Sequence, residues 1–363
     1  MVQLIRDWIK RHFSDPQVFI LWFFLVLGFV VIFLVGNLLI PVFISVVVAY
    51  LLEGIVGVLR RWRVPRFPAV MAVFIVFMAC LMILIIWLLP LLSRQIGQLV
   101  HQLPSMLTMG QRQLLQLLER YPDFISETQI GNILDMVNTG LTGLARQILS
   151  ISLASVRGVI TALIYLILVP FLVFFLLKDK EKIITWLKEF LPENRGLAVE
   201  VWQEVNLQVA NYVRGKVWEI LIIWIASYIT FTILRLDFAL LLSLFVGLSV
   251  LVPYIGVTVM FLPVILVAYF QWGWGSDFAY AIIAYSAIQL LDGNLLAPLL
   301  LSEVVDLHPV AIIVAVLLFG GLWGLWGLFF AIPLATLVNA VIKAWFKRPH
   351  RKEEPGNDLS SAA

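Results

Sequence analysis

The apolar residues of this chain occur in long runs, and short segments between the runs carry most of the charged residues. A membrane-spanning helix needs about 20 consecutive apolar residues, because each residue adds about 1.5 Å and the hydrocarbon core is about 30 Å thick. Runs of this kind predict spanning helices at 18–36, 38–58, 68–92, 158–177, 217–234 and 278–299. The pattern therefore predicts an all-α polytopic membrane protein.

Two further apolar segments are too long for one span and are interrupted near their middles. The first, 239–271, contains Pro253 and Gly256, and the second, 309–341, contains a run of four glycines and two tryptophans between 320 and 327. Proline breaks a helix and glycine lets the backbone turn. We predict that each segment is a hairpin of two half-length helices, which gives about eight membrane segments in all. One kinked helix over 309–341 is the alternative.

The more polar segments predict regions outside the hydrocarbon core. Together with the apolar runs they divide the chain into a cytoplasmic interfacial helix (1–17), three N-terminal spans (18–92), an extracytoplasmic helical cap (93–157), the fourth span with an amphipathic cytoplasmic arm (158–216, the arm being 183–216), a transport region with both hairpins (217–342) and a disordered cytoplasmic tail (343–363). Arg214, Lys216 and Glu219 border the span 217–234, and we expect them to mark its inner interface.

Composition and charge fix the class and the orientation. Hydrophobic residues make up 62% of the chain and charged residues 13%, which excludes an ordinary soluble domain. Basic residues cluster in 60–66 and 178–182, so the positive-inside rule places both termini in the cytoplasm. Because these clusters lie between apolar runs, they do not indicate a nucleic-acid partner. Cys80, the single cysteine, excludes an intrachain disulfide.

Asp292 is the strongest candidate for a functional residue. An ionisable group in the middle of a spanning helix costs about 2.5–3.5 kcal/mol, so it usually faces a protein interior or a solute path. Asn294 and Pro298 follow it and disturb the helix, and Gln289 precedes it by about one turn. Three interpretations stay open: a coupling carboxylate, with Gln289 and Asn294 binding the same solute; a partner for a buried cation or amide; or a helix break.

The interruptions in the two long segments are candidate parts of a transport path. Broken helices expose backbone groups that lipid cannot satisfy but that a solute can use, and interrupted segments in two oppositely oriented units are typical of secondary transporters. An interfacial belt is the alternative for the tryptophans, and a helix-packing face for Gly320 and Gly324. His308 is a candidate pH sensor or a solvated loop residue. The candidate path residues at the interruptions are Pro253, Tyr254, Gly256, Gly320, Gly321, Trp323, Gly324 and Trp326.

Enzyme motifs are missing from the sequence. It contains no GxSxG, HExxH or Walker sequence, so we predict no enzymatic activity, no cofactor, no metal site and no ATP-driven transport by this chain alone. The favoured function is a secondary transporter that exports a small polar solute by alternating access. The alternatives are a monovalent cation/proton antiporter and a non-transporting membrane scaffold.

Several stretches resemble the autoinducer-2 exporter family of bacterial membrane proteins, most closely its members described as permeases. They are LVPFLVFFLLKDKEK (168–182), NYVRGK (211–216), VLVPYIG (250–256), LLDGNLLAPLLLSEVVDLHP (290–309) and FGGLWGLWGLFFAIPLATL (319–337). The resemblance implies an inner-membrane carrier that forms a homo-oligomer, a pentamer, and that uses two helical hairpins. It also implies autoinducer-2, or sodium or lithium in exchange for protons, as the cargo.

Overall fold

The protein is described here by a computed structural model that covers residues 16–120, 143, 155–189, 196–253, 255–301 and 308–346, with residues 16–35 described by their backbone alone. Within these residues every regular element is a helix, as predicted. Two compact units are distinguished: Val35–Lys188 with Ala210–Val304, and Met1–Leu34 with Glu189–Val209 and Val305–Ala363. The helices are α1 (Pro16–Arg61), α2 (Arg66–Ile83), α3 (Leu89–Arg120), α4 (Ser155–Lys178), α5 (Lys180–Glu189), α6 (Gly196–Ile233), α7 (Ala239–Ser249), α8 (Ile255–Trp272), α9 (Ser276–Leu291), α10 (Ala297–Leu301) and α11 (Pro309–Phe346), with π-helical turns at Leu84–Leu88 and Asp292–Leu296.

Within the described residues, six helices are long and apolar enough to cross a membrane. Five of them contain or overlap the predicted spans from 38–58 onward, and the sixth, Ile255–Trp272, is the second arm of the predicted hairpin 239–271. All six are Leu38–Arg61, Arg66–Gly110, Ile160–Lys178, Val205–Ile233, Ile255–Trp272 and Ser276–Leu300.

The prediction of separate spans at 18–36 and 38–58 is wrong in one respect, because α1 runs without interruption from Pro16 to Arg61. Only Asn37 lies between the two predicted spans, and Gly36 is the last residue of the first. A glycine inside a helix costs about 1 kcal/mol relative to alanine. That is too little to end a helix that apolar residues continue on both sides.

The predicted polar regions begin as continuations of spanning helices. α3 continues to Arg120, and its Leu99 and Met106 pack against the buried core, so the first part of the predicted cap is continuous with the third span. The predicted arm likewise contains α5 and then the beginning of α6, which continues into the next span. Residues 1–15, most of 121–154 and 347–363 lie outside the described part of the chain, and α11 includes the first residues of the predicted tail, up to Phe346.

Two hydrophobic cores stabilise the larger unit. One lies among α1, α2 and α4 and includes Val56, Val70 and Val173. The other lies among α6, α7, α8 and α9 and includes Phe231 and Tyr285. The second core fixes the positions of α6 and α9, the two helices that carry the charged residues considered below.

The first interrupted segment forms two helices that pack side by side, α7 and α8, joined by residues 250–254. Gly256 makes this close approach feasible. A Cβ atom placed on it would lie 1.7 Å from the carbonyl oxygen of Ser249, at the end of the other arm. Only a residue without a side chain fits there.

The second interrupted segment, α11, breaks at Gly324, whose φ of 58° and ψ of −134° are not helical. The two parts are Val310–Gly324 and Trp326–Asn339. A Cβ on Gly327 would lie 1.8 Å from the carbonyl oxygen of Phe319. Residues eight apart in one helix are separated by about 12 Å. The chain therefore reverses at Gly324, and a single kinked helix does not fit this geometry.

Candidate functional site

A buried ion pair lies inside the apolar part of α6. The ammonium of Lys216 donates to a carboxylate oxygen of Glu219 at 2.9 Å. Each residue is 2% exposed. Their three-residue spacing places them on one face of the helix. The face that carries them points into the protein, and their expected position at the inner interface of the span stays a prediction.

Asp292 lies within electrostatic range of this pair, at the start of the π-helical turn that follows α9. It is 5% exposed, and its carboxylate interacts electrostatically with both Glu219 and Lys216. One of its oxygens, Oδ1, has no hydrogen-bond partner among the described residues. Of the three interpretations of Asp292, the helix break alone is insufficient, because the structure gives the side chain charged neighbours.

A π-helical turn starts at Asp292 and ends at Leu296. The turn has the wider i→i+5 hydrogen bonding, and such single turns occur frequently at functional sites. Gly293 and Asn294 favour it because neither is a strong helix former. The Asn294 amide donates to the carbonyl oxygen of Leu290 at 2.8 Å and the residue is exposed. Asn294 thus stabilises the turn and is not part of the buried cluster.

Uncharged polar groups extend the site along both helices. Ser227 lies two to three turns after Glu219 on α6 and is fully buried, and Gln289 lies about one turn before Asp292 on α9. The Ser227 hydroxyl and both amide atoms of Gln289 are buried and have no hydrogen-bond partner in the described part of the chain. A buried polar group without a partner costs about 1–3 kcal/mol. The Ser227 hydroxyl and the Gln289 amide can therefore offer hydrogen bonds to a polar ligand.

The charge of the cluster decides what it can bind. Two carboxylates, of Glu219 and Asp292, face one ammonium, of Lys216. With all three groups ionised the cluster carries one negative charge in a region shielded from water. Since an uncompensated buried charge is strongly unfavourable, the cluster favours the uptake of one proton or one monovalent cation.

The other predicted residues have separate locations. Pro253 and Gly256 lie at the turn between α7 and α8, Pro298 is exposed in α10, and Tyr254 lies outside the described residues. His308 begins α11: its backbone carbonyl accepts from Ala311 at 2.8 Å, and its Nδ1 accepts from the Val310 amide at 3.3 Å. It is exposed, and its role as a pH sensor stays a prediction.

The glycines and tryptophans of α11 belong to the smaller unit and are described within it. Gly320, Gly321 and Gly324 lie in or directly before the reversal, and Trp326 directly follows it. Trp323 stacks on Phe319 with ring centres 5.7 Å apart. Because Gly324 is not helical, Gly320 and Gly324 do not form the alternative helix-packing face. Their part in a solute path stays a prediction.

Comparisons with known proteins agree with this architecture. Residues 19–347 match the family model described as AI-2E family transporter. The chain is 43% identical over 351 residues to "Putative permease PerM" of Escherichia coli (strain K12), covering 95% of this chain and 98% of that protein. It is 28% identical over 266 residues to "Putative transport protein YueF" of Bacillus subtilis, covering 71% and 69% of the two chains. This chain has several helices that can cross a membrane and matches the family model along most of its length, so it belongs to the AI-2E family of transporters.

Proposed function

We propose that this protein is a secondary transporter of the bacterial inner membrane, in which Lys216, Glu219 and Asp292 bind the coupling proton or monovalent cation. The observation that carries the proposal is the excess of one buried carboxylate over the buried ammonium. A secondary transporter needs a group that is charged in one step and neutral in another. Asp292 meets this requirement because it lies beside one group of each sign.

The charge of Asp292 acts on the first hairpin through direct packing. Asp292 directly follows α9, and α9 packs on α8. The Tyr285 hydroxyl of α9 also donates to the carbonyl oxygen of Val257 in α8 at 2.9 Å. When Asp292 loses its charge, its attraction to Lys216 and its repulsion from Glu219 both disappear. In the proposed alternating-access cycle, this change shifts the balance between two arrangements of α9 and the hairpin.

Of the candidate transport modes, cation/proton antiport is the one that the charged groups support best. One acid alone is a weak basis for exchange, but Glu219 supplies a second carboxylate next to Asp292. A sodium or lithium ion favours carboxylate oxygens. The cluster then exchanges one cation for one proton without a further charged group.

Export of a small polar solute is the second candidate. It is favoured by the unpaired hydroxyl of Ser227 and the unpaired amide of Gln289, which exceed what proton exchange needs. Neutral hydrogen-bonding groups of this kind suit a hydroxylated organic molecule similar to autoinducer-2. In this version, the charged cluster supplies the coupling and the neutral groups bind the cargo.

The test is proton flux in proteoliposomes that contain a trapped pH dye and receive sodium or lithium. We expect cation-dependent proton movement in the wild type, and its loss in Asp292→Asn and Glu219→Gln. Asp277→Asn is the matched control, because Asp277 is an exposed carboxylate at the start of the same helix, α9. Unchanged flux in Asp292→Asn would refute the coupling role and leave the scaffold interpretation in place for this residue.

A wild type without any proton response would exclude antiport. Uptake of labelled autoinducer-2 into inverted vesicles then tests the second candidate with the same three variants. Transport of the signal that is lost in Asp292→Asn but retained in Asp277→Asn would assign the cluster to solute export.

A further inference from the structure

A cavity lies in the larger unit between the C-terminal part of α1 and α6. Its volume is about 600 Å³, and its lining includes Arg61 and Arg214 together with Trp218. The cavity is separate from the charged cluster because the two lie on different faces of α6. Arg214 and Trp218 are four residues apart and share the cavity face, whereas Lys216 and Glu219 share the buried face.

Arg214 is positioned to bind an anion. Its Nε atom is buried and has no hydrogen-bond partner among the residues that the structure describes. Its side chain crosses α1 at Gly54, where an added Cβ would lie 3.1 Å from Nε. The absence of a side chain at Gly54 therefore lets the guanidinium lie against α1. An unpaired guanidinium held in this way favours a carboxylate or phosphate ligand.

Glu53 also lines the cavity but does not neutralise the arginines. Its Oε1 accepts from the Lys180 ammonium at 3.0 Å and lies 3.9 Å from the guanidinium of Arg66. The cations that contact Glu53 are thus Lys180 and Arg66 and not Arg61 or Arg214, while its Oε2 has no hydrogen-bond partner among the described residues. Neither of those two arginines forms an ion pair within the described part of the chain.

The remaining walls of the cavity are apolar and open to the surroundings. Ile55 and Val58 are about half exposed, and Trp218 is 57% exposed. Arg61 is the last residue of α1, at the end that the positive-inside rule places in the cytoplasm. Leu51 on α1 and Leu221 on α6 line the cavity farther from the cytoplasm than the two arginines do. A site with guanidinium groups at the membrane surface and apolar walls below them matches the layers of a phospholipid monolayer. A free phosphate ion would gain nothing from the apolar walls.

We propose that this cavity binds an anionic phospholipid of the cytoplasmic leaflet, with the headgroup phosphate on Arg61 and Arg214 and an acyl chain along Leu51 and Leu221. The bound lipid contacts both α1 and α6. It therefore fixes the outer face of the helix whose inner face carries Lys216 and Glu219. The proposal does not depend on which cargo the protein transports.

Native mass spectrometry of the full-length protein with added phosphatidylglycerol or phosphatidylcholine tests the proposal. We expect tighter retention of phosphatidylglycerol, and a loss of about fivefold in its affinity for each of Arg61→Gln and Arg214→Gln, the effect of removing one basic residue from an anionic surface. Arg60→Gln is the matched control, since Arg60 is an exposed neighbour outside the cavity.

A second variant tests the cavity without changing any charge. Gly57 lines the cavity, and nothing lies within 4 Å of a Cβ placed on it. Gly57→Phe should fill the space and displace the lipid while both arginines remain. If it retains phosphatidylglycerol as the wild type does, or if Arg60→Gln weakens binding as much as Arg214→Gln, the attraction is diffuse and the proposal fails.

Two further outcomes identify other occupants. If millimolar inorganic phosphate displaces bound lipid as effectively as added phosphatidylglycerol does, the cavity is a site for a free anion. Dissociation of an oligomer in Gly57→Phe, with lipid binding unchanged, would show that the cavity faces a second copy of the chain. Either result would overturn the lipid assignment.

Discussion

Replacing Lys216 with methionine should destabilise the protein through charge and not through lost volume. The methionine keeps most of the apolar stem but removes the ammonium that faces Glu219 and Asp292. At an effective dielectric constant of about 20, unit charges 2.9 Å apart attract by about 6 kcal/mol. Desolvation offsets part of this, and removing one partner of a buried pair costs about 3–5 kcal/mol. Because the abandoned carboxylates can take up a proton, we expect a loss of about 3 kcal/mol, the lower end of that range.

Equilibrium unfolding by SDS in mixed micelles, followed by tryptophan fluorescence, measures this loss. The matched control is Lys182→Met. Lys182 pairs with Asp179 at 3.3 Å with the same three-residue separation, but its side chain is 85% exposed. An exposed pair contributes at most about 1 kcal/mol, so the control should stay within that amount of the wild type.

The double variant Lys216→Met with Glu219→Gln separates charge from packing. It removes both members of the ion pair, so it should be more stable than Lys216→Met alone. Equal losses of stability in Lys216→Met and Lys182→Met would refute the argument that an unpaired buried charge is the cause. So would a double variant whose loss of stability equals the sum of the losses in Lys216→Met and Glu219→Gln.

Three further substitutions test the turns and contacts of the hairpins. Gly256→Ala places a Cβ 1.7 Å from a backbone oxygen, so it should lower the unfolding temperature or the yield strongly; Gly293→Ala, where nothing lies within 4 Å, should do neither. Gly324→Ala forces an L-residue to φ 58°, ψ −134°, at a cost of about 1–3 kcal/mol. Gly321→Ala is the control, because it has room for a Cβ and an ordinary φ. Equal stability of the two variants would contradict the reversal at Gly324. Tyr285→Phe loses one hydrogen bond to α8 and should cost about 1 kcal/mol in the SDS assay; no measurable change would show that this bond does not hold α9 to the hairpin.

The sequence identifies the spans well because their signal is local. A run of apolar residues long enough to cross the bilayer specifies a helix whatever surrounds it. Helix α4 and the helical span Ser276–Leu300 begin and end near their predicted limits. The end of a helix is a weaker signal. The boundary predicted at residue 37 inside α1 does not exist, whereas Gly324 does end a helix, because its φ and ψ are closed to other residues.

Asp292 and Lys216 show how much of the site the sequence alone can predict. Asp292 is conspicuous because it is a single charge inside an apolar run. Lys216 and Glu219 lie at the beginning of their predicted span, where charges normally contact headgroups, so their burial is not apparent. Spacing indicates that they share a face, but only the packing of α6 against α9 shows that the face is internal. Contacts between distant segments leave no signal in a single sequence.

The π turn that begins at Asp292 makes the length of this helix as important as its composition. A π turn holds one residue more than the α-helical turn that could replace it, so deleting one residue between Gly293 and Leu296 would restore the ordinary pitch and keep both flanks in nearly the same rotational phase. A deletion inside α9 has no such extra residue to remove and would rotate Asp292 by about 100° relative to the packed part of that helix. The loss of a single codon before Asp292 would therefore turn its carboxylate away from the cluster without replacing any charged residue, whereas the same loss within the π turn would not.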